Sequence, residues 1–393
     1  MESKITDMKR FFIAGAAASA LMLAAGCGQN VTSGTPEQNG SRTGYSLAFF
    51  RNVSAHEGED SNVLVSPYSA GVALSMLADG AEGQTRDEIV AALGGCTFAG
   101  DTLAADSLVD VRSANSAWLR SGFGLKKEYV QRLEKTYGAM IAEKDFSSLD
   151  AADAINAWCA DNTEGRITEI VDRISPDMMM FLVNALYFKA PWEKAFSPER
   201  TSDCTFYGSA GERKVPMMSI REDFRYAEWQ GSQLIELPYA GGRYSMLIAL
   251  PAEGLDMETA VSCLSEKAYE AALASMQKRK VALTLPKFRF DTDMTLNTVL
   301  YGMGIKKAFS SSARFGLMSE TPVTVDQVRQ KCFIEVNEEG SEAAAVTSIG
   351  LRLTSARPVE MAVDMTVDRP FLFALVDRDG GDILFLGRVM NIE

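Results

Sequence analysis

From Thr43 to Glu393 the chain shows no internal repeat and no second flexible linker, with helix signals crowding its first half and strand signals its second. With no repeat there is no solenoid, and with no linker there is no obvious second domain, so one α+β domain with helices packed around large sheets is predicted. Ser66-Pro67-Tyr68-Ser69 opens a helix over 70–78, with Pro67 in the first turn and serines placed to cap free amides. Helices are also predicted at 87–93, stopped by Gly94-Gly95, and at 126–137, 151–162 and 257–276. Alternating or continuous β-type runs lie at 178–188, 233–238, 244–250, 281–290, 333–336, 371–376 and 383–389.

The N-terminus reads differently from this body. Lys4, Lys9 and Arg10 precede an uncharged stretch, 11–26, too short to span a membrane comfortably, so 1–26 is expected to be a cleaved signal peptide. Its end, Leu23-Ala24-Ala25-Gly26-Cys27, resembles the lipobox at which a bacterial lipoprotein is cut and its new terminal cysteine acylated, although Ala24 holds the place usual for leucine. Cys27 is then the lipidation site, and the protein is anchored to the cell envelope or cell surface; ordinary signal cleavage nearby would instead release it. Either way it lies outside the cytoplasm. Residues 27–42, rich in Gly, Ser, Thr, Asn and Gln, form an expected flexible tether, with the folded domain over 43–393.

Charge and residue inventory remove several activities. The formal charge is −13, or −14 once 1–26 (Lys4, Lys9 and Arg10 against Glu2 and Asp7) is gone, so nucleic acid is not an expected partner. The one histidine, His56, sits in the polar run His56-Glu57-Gly58-Glu59-Asp60, which reads as an exposed loop. A Ser-His-Asp hydrolase would have to use it without a Gly-x-Ser-x-Gly elbow to support it, and a His-Glu-x-x-His zinc site is impossible. Cys96, Cys159, Cys204, Cys263 and Cys332 are scattered, with no Cys-x-x-Cys pair, and read as mostly buried thiols. No cofactor and no metal is expected.

One segment stands out for its composition: Glu338-Glu339-Gly340-Ser341-Glu342-Ala343-Ala344-Ala345-Val346-Thr347-Ser348-Ile349-Gly350. An alanine run alone is an ordinary helix turn or linker. This one follows a β-type strand ending at Asn337 and precedes a polar, proline-containing stretch, 354–358, that should be exposed.

In that setting the chain resembles the serpins over nearly the whole folded body. The resemblance is carried by Asn62-Val63-Leu64-Val65-Ser66-Pro67-Tyr68-Ser69, Asn156-x-Trp158, Thr163-x-Gly165-Arg166-Ile167 and Leu182-Val183-Asn184-Ala185-Leu186-Tyr187-Phe188-Lys189 followed by Trp192. Later matches are Leu285-Pro286-Lys287-Phe288, Glu335-Val336-Asn337-Glu338-Glu339-Gly340, Asp368-Arg369-Pro370-Phe371-Leu372-Phe373 and Phe385-Leu386-Gly387-Arg388-Val389.

The resemblance implies helices around three β-sheets and an exposed reactive loop, about 338–358. It also implies a monomeric suicide-substrate inhibitor rather than an enzyme. A serine, or possibly cysteine, protease cuts the loop and is trapped as a covalent acyl complex when the loop inserts as a new strand. Alternate residues of an inserting strand enter the core, so they must be small and uncharged. Counted from Ser341 these are Ser341, Ala343, Ala345 and Thr347, with Glu342 on the outward face. Gly340 offers a pivot. Ser66, Ser69 and Asn184 match the family's shutter and Trp192 the place where insertion begins, while Gln330 stands where many serpins have a histidine and cannot titrate. The family's commonest hinge-to-bond spacing, counted from Glu338, sets the reactive bond at Thr354-Ser355. One residue less gives Leu353, and counting back from the C-terminal side moves the bond toward Val359. Leu353 would suit chymotrypsin-like or elastase-like enzymes, Thr354 one accepting small β-branched residues, and Arg352 or Arg357 a trypsin-like one. The competing expectations are a non-inhibitory serpin acting as a binding or carrier protein and, more remotely, an envelope hydrolase that shares local patterns.

Overall fold

Ser41 caps the first helix, its hydroxyl accepting a hydrogen bond from the Gly44 amide, so the helix opens at Arg42, the last residue of the expected tether. The computed structural model describes residues 40–98, 103, 108–175, 177–341 and 361–393. The leader and Cys27 therefore lie outside the described residues, as do loop positions Glu342 to Thr347 and every candidate for the cut bond from Arg352 to Val359.

The helices are α1 (Arg42–His56), α2 (Pro67–Gly80), α3 (Gly83–Ala92), α4 (Lys127–Tyr137), α5 (Leu149–Asn162), α6 (Met257–Ser262), α7 (Glu266–Ser275) and α8 (Asn297–Gly302). The strands are β1 (Val63–Val65), β2 (Asp110–Arg120), β3 (Met140–Lys144), β4 (Met180–Pro191), β5 (Ser202–Gly208), β6 (Gly211–Trp229), β7 (Ser232–Pro238) and β8 (Tyr244–Leu250). They continue as β9 (Gln277–Pro286), β10 (Phe288–Thr295), β11 (Arg329–Val336), β12 (Gly340–Ser341), β13 (Val363–Thr366), β14 (Phe371–Asp377) and β15 (Ile383–Val389).

Among the described residues the strands form two sheets rather than the three the resemblance implies. A six-stranded sheet runs β10-β11-β12-β4-β2-β3, and a nine-stranded sheet runs β1-β15-β14-β8-β7-β6-β9-β13 with β5 paired to β6. The long β6 and β9 pair over ten successive positions, Met217↔Pro286 to Tyr226↔Gln277, and weld what would be two sheets into one.

Two predicted elements divide. The helix expected over 257–276 breaks at Cys263-Leu264, because Ser265 caps a second helix with its hydroxyl accepting from the Ala268 amide, as Asp256 caps the first. The strand expected over 281–290 passes from one sheet to the other: Pro286 has no amide to donate, and Lys287 turns its amide to Pro216 O. His56 is also placed differently, exposed as the last residue of α1 rather than in a loop.

The core lies where α2, buried along most of its length, meets both sheets. On β4 the side chains alternate. Leu186, Phe188 and Ala190 join that core, whereas Phe181 and Val183 face the opposite way into a second cluster with Ile155 and Cys159 of α5. β11 alternates as strictly, burying Gln330, Cys332, Ile334 and Val336. Packing is tight enough to specify glycine: a Cβ on Gly387 of β15 would lie 2.2 Å from the Phe373 ring of β14. Gly387→Ala should therefore lower the unfolding midpoint in urea, by about 1–3 kcal/mol of stability; an unchanged midpoint would show that the strand pair relaxes freely.

Candidate functional site: where β11, β12 and β4 meet

β11 ends at Val336 and the chain turns back on itself at once. Asn337 makes the turn, its side-chain oxygen accepting from the amides of Glu339 (3.0 Å) and Gly340 (3.2 Å) while its own amide donates to Gly340 O. Gly340 and Ser341 then lie as β12 between β11 and β4, antiparallel to both, in the register Val336↔Ser341, Gly340↔Pro191 and Ser341↔Ala190. Only glycine fits the first of these positions, because a Cβ there would come within 2.1 Å of Ala190 O, a backbone atom with no room to yield.

Trp192, just past β4, fastens this turn. Its amide donates to Glu339 O (2.8 Å) and its indole nitrogen to Asn337 O (2.9 Å). The indole stacks on Tyr239, with centroids 4.5 Å apart and planes 11° from parallel, and the Tyr239 hydroxyl shares a 2.6 Å hydrogen bond with Ser341 Oγ. Burial pushes the Tyr239 hydroxyl pKa well up, so it stays neutral and available to that bond. Ser341 is itself 2% exposed. The first inward residue of the expected hinge thus already sits in the core.

Glu338 supplies a second fastening. Its carboxylate accepts from Thr201 Oγ1 and Lys287 Nζ, each at 2.8 Å, and Phe196 N donates to its carbonyl at 2.9 Å. Burial alone would raise the Glu338 pKa, but the Lys287 and Thr201 hydrogen bonds outweigh it and hold the group below its ordinary 4.5.

The residues expected to form a shutter fall into two groups on opposite sides of β12. On the β11 side Gln330 bonds Ser66 both ways, Ser66 N donating to Oε1 (3.1 Å) and Nε2 donating to Ser66 O (2.9 Å), while Ser66 Oγ caps α2 by accepting from Ser69 N. Across the seam Asn184 Nδ2 donates to Ser113 Oγ (3.2 Å) and Asn115 Oδ1 (2.6 Å) of β2, and Asn184 Oδ1 is buried with no hydrogen-bond partner. The structure therefore brings Trp192 together with Glu338 to Ser341, and Ser66 together with Ser69, but leaves Asn184 apart from Ser66. Neighbouring Cys332 is fully buried, its thiol pushed up to about 12 by desolvation, which leaves no thiolate for nucleophilic chemistry. Cys96, Cys159, Cys204 and Cys332 carry free thiols.

Thr201 and Tyr239 belong to this site although no sequence signal marked them, since each reaches a partner more than a hundred positions away along the chain. Lys287 and Asn337 stood inside matched motifs without a visible role.

Comparison with known proteins agrees with this geometry. Residues 41–392 match the family described as Serpin (serine protease inhibitor), and the chain belongs to it. An uncharacterized serpin-like protein of Thermococcus kodakarensis is 36% identical over 348 residues, covering 85% of this chain and 82% of the relative. Human neuroserpin is 32% identical over 361 residues, covering 86% and 87%. Among solved structures the thermophilic serpin tengpin in its native state is similar at a TM-score of 0.81 and 26% identity, over 91% of this chain and 97% of that one. A complex of thyroxine-binding globulin with thyroxine is similar at 0.79 and 25%, over 89% and 98%. Serpins are in general protease inhibitors rather than catalysts.

The lowered Glu338 pKa fixes the sign of a pH effect. A carboxylate whose pKa is depressed on folding stabilises the fold above its unfolded pKa and loses that contribution as pH falls through the folded value. Lys287→Met should cost about 1–3 kcal/mol at neutral pH, and the gap to the parent should close as pH drops below 4.5, the ordinary value. Thermal midpoints of the two proteins across pH 7 to 3 check it; a gap independent of pH would mean the pair does not form.

Proposed function

We propose that this chain is a suicide-substrate inhibitor of serine, and by extension cysteine, endopeptidases, held outside the cytoplasm by a lipid on Cys27. The observation that carries the reading is β12: two residues of the expected hinge are already paired between β11 and β4, and this pairing supports insertion of the rest of the loop at the same seam. The target's nucleophile attacks the carbonyl of the reactive bond, for which Thr354-Ser355 is the first choice; the new amine leaves with the proton, and the acyl group stays on the enzyme. Insertion then races hydrolysis of that ester, and a trapped enzyme results when insertion wins.

Extended from Ser341↔Ala190, the register sets Ala343 opposite Phe188, Ala345 opposite Leu186 and Thr347 opposite Asn184, all on the core face of β4. Extended from Val336↔Ser341, it sets Thr347 opposite Gln330. The small hinge residues thus fall against the large side chains, and the Thr347 hydroxyl falls where Asn184 Oδ1 lacks a donor. Ile349 follows opposite Leu182, beside a pocket lined by Leu74, Leu77, Leu182 and Val328 together with Asp326 and Gln327.

Likeness to thyroxine-binding globulin favours a second reading, a non-inhibitory binding protein. The two part on a denaturing gel. Mixed with a panel of serine and cysteine proteases, the inhibitor forms a complex that survives denaturation, and the mass of the released C-terminal peptide gives the bond; a carrier is cut without complex and without gain in heat stability. Thr347→Arg, on the inward face, should turn the inhibitor into a substrate, whereas Ser348→Arg, on the outward face, should leave most of the complex. Equal loss from both would contradict the register.

A further inference from the structure

Solvent reaches few of the methionine thioethers. Eleven of the sixteen methionines among the described residues are buried, and the five that are not are Met140, Met178, Met179, Met180 and Met361. Three of those five stand in a row where β4 begins, at the end of the strand away from Trp192.

Backbone bonds hold this run in place: Met178 N donates to Ser175 O at 2.9 Å, and Met179 O accepts from Arg120 N at 3.0 Å. The three side chains are half-buried, with Met180 packed against the main core and Met178 against the cluster under α5. Met179 and Met180 both line the pocket that Leu74 and Leu77 of α2, Phe315 and Met318 also border, where Asp326 and Gln327 add polar groups. The far end of the loop is expected beside this pocket. Extended from Ser341↔Ala190, the register sets Ile349 opposite Leu182 and Leu351 opposite Met180. Met180 lies about 33 Å along β4 from the rung at Ala190, so a change at Met180 leaves the start of the inserted strand untouched.

We propose that Met179 and Met180 are an oxidation site, at which a peroxide turns the protein from an inhibitor of proteases into a substrate for them. This rests on the loop-insertion reading above. A lone pair of the thioether sulfur attacks one peroxide oxygen, the O–O bond breaks, and the other oxygen leaves as hydroxide, which takes the proton from the bound oxygen to give sulfoxide and water. Sulfur is oxidised by two electrons and the peroxide is reduced by two. The product is a strong hydrogen-bond acceptor on what was an apolar side chain. Before insertion, water satisfies it. When Ile349 and Leu351 arrive they displace that water and offer hydrocarbon in return, so the last rungs close slowly and the acyl-enzyme hydrolyses first.

The test uses one protease that the parent traps. The whole chain is partly oxidised with hydrogen peroxide and mixed with that protease; the covalent complex and the cut chain are separated on a denaturing gel, and the sulfoxides in each are mapped by mass spectrometry. Sulfoxide at 179 and 180 should be roughly three- to tenfold enriched in the cut chain, as a desolvated acceptor requires. Sulfoxide at Met140 and Met361, the other thioethers open to solvent, should divide evenly between the two bands. A Met179→Leu, Met180→Leu variant, apolar and close in volume, should keep its trapping through the same treatment. Even division of the 179 and 180 sulfoxides, or no oxidation there while buried methionines react, overturns the site and leaves insertion intact. A chain that forms no complex before oxidation with any protease of the panel overturns the inhibitor reading and the switch with it.

Discussion

Two backbone rungs fix where the segment after β11 enters the six-stranded sheet. Gly340 and Ser341 place the beginning of the loop between β11 and β4, and a strand seeded there inherits one register and one parity. A slip by one residue would point Glu342 at the core and leave Ser341 without Tyr239. The seed is over-determined: Asn337 turns the chain, Trp192 holds the turn through two donors, and a side chain at position 340 would strike Ala190 O. Beyond it, β4 and β11 are joined in the described structure only through β12.

Neutral packing and charge divide the labour around that seam. The stacked Trp192-Tyr239 pair and the Tyr239-Ser341 bond are buried and insensitive to solvent conditions, and they set position. Glu338 with Lys287 and Thr201 is charged and reaches solvent, and it sets the pH dependence predicted for the turn. Gln330 follows the first pattern: its amide ties β11 to the start of α2 without a titrating group.

Much of this was legible in the sequence, for identifiable reasons. β8 and β15 fall on their expected residues because they are apolar runs with no competing signal, and Ser66-Pro67 announced α2 by cap chemistry. β6 escaped notice because charged residues mix with apolar ones on both of its faces and Pro216 interrupts it, and β2 because Asp110, Arg112, Ser113 and Asn115 fill its first half with polar residues, of which Ser113 and Asn115 bond across the sheet to Asn184. α1 was hidden because it is buried nearly all round and has no polar stripe to give it a period. The hinge's small inward residues could be read from composition, but Tyr239, Thr201 and Lys287 could not, because only the closed fold brings them to Glu338 and Ser341.

The most direct test of the central claim is a crystal structure of the loop-cut protein. The account predicts residues 341–351 as a strand between β4 and β11, with Thr347 level with Asn184 and Gln330 and its hydroxyl donating to Asn184 Oδ1. A cut loop left outside the sheet, or inserted one residue out of that register, would contradict it.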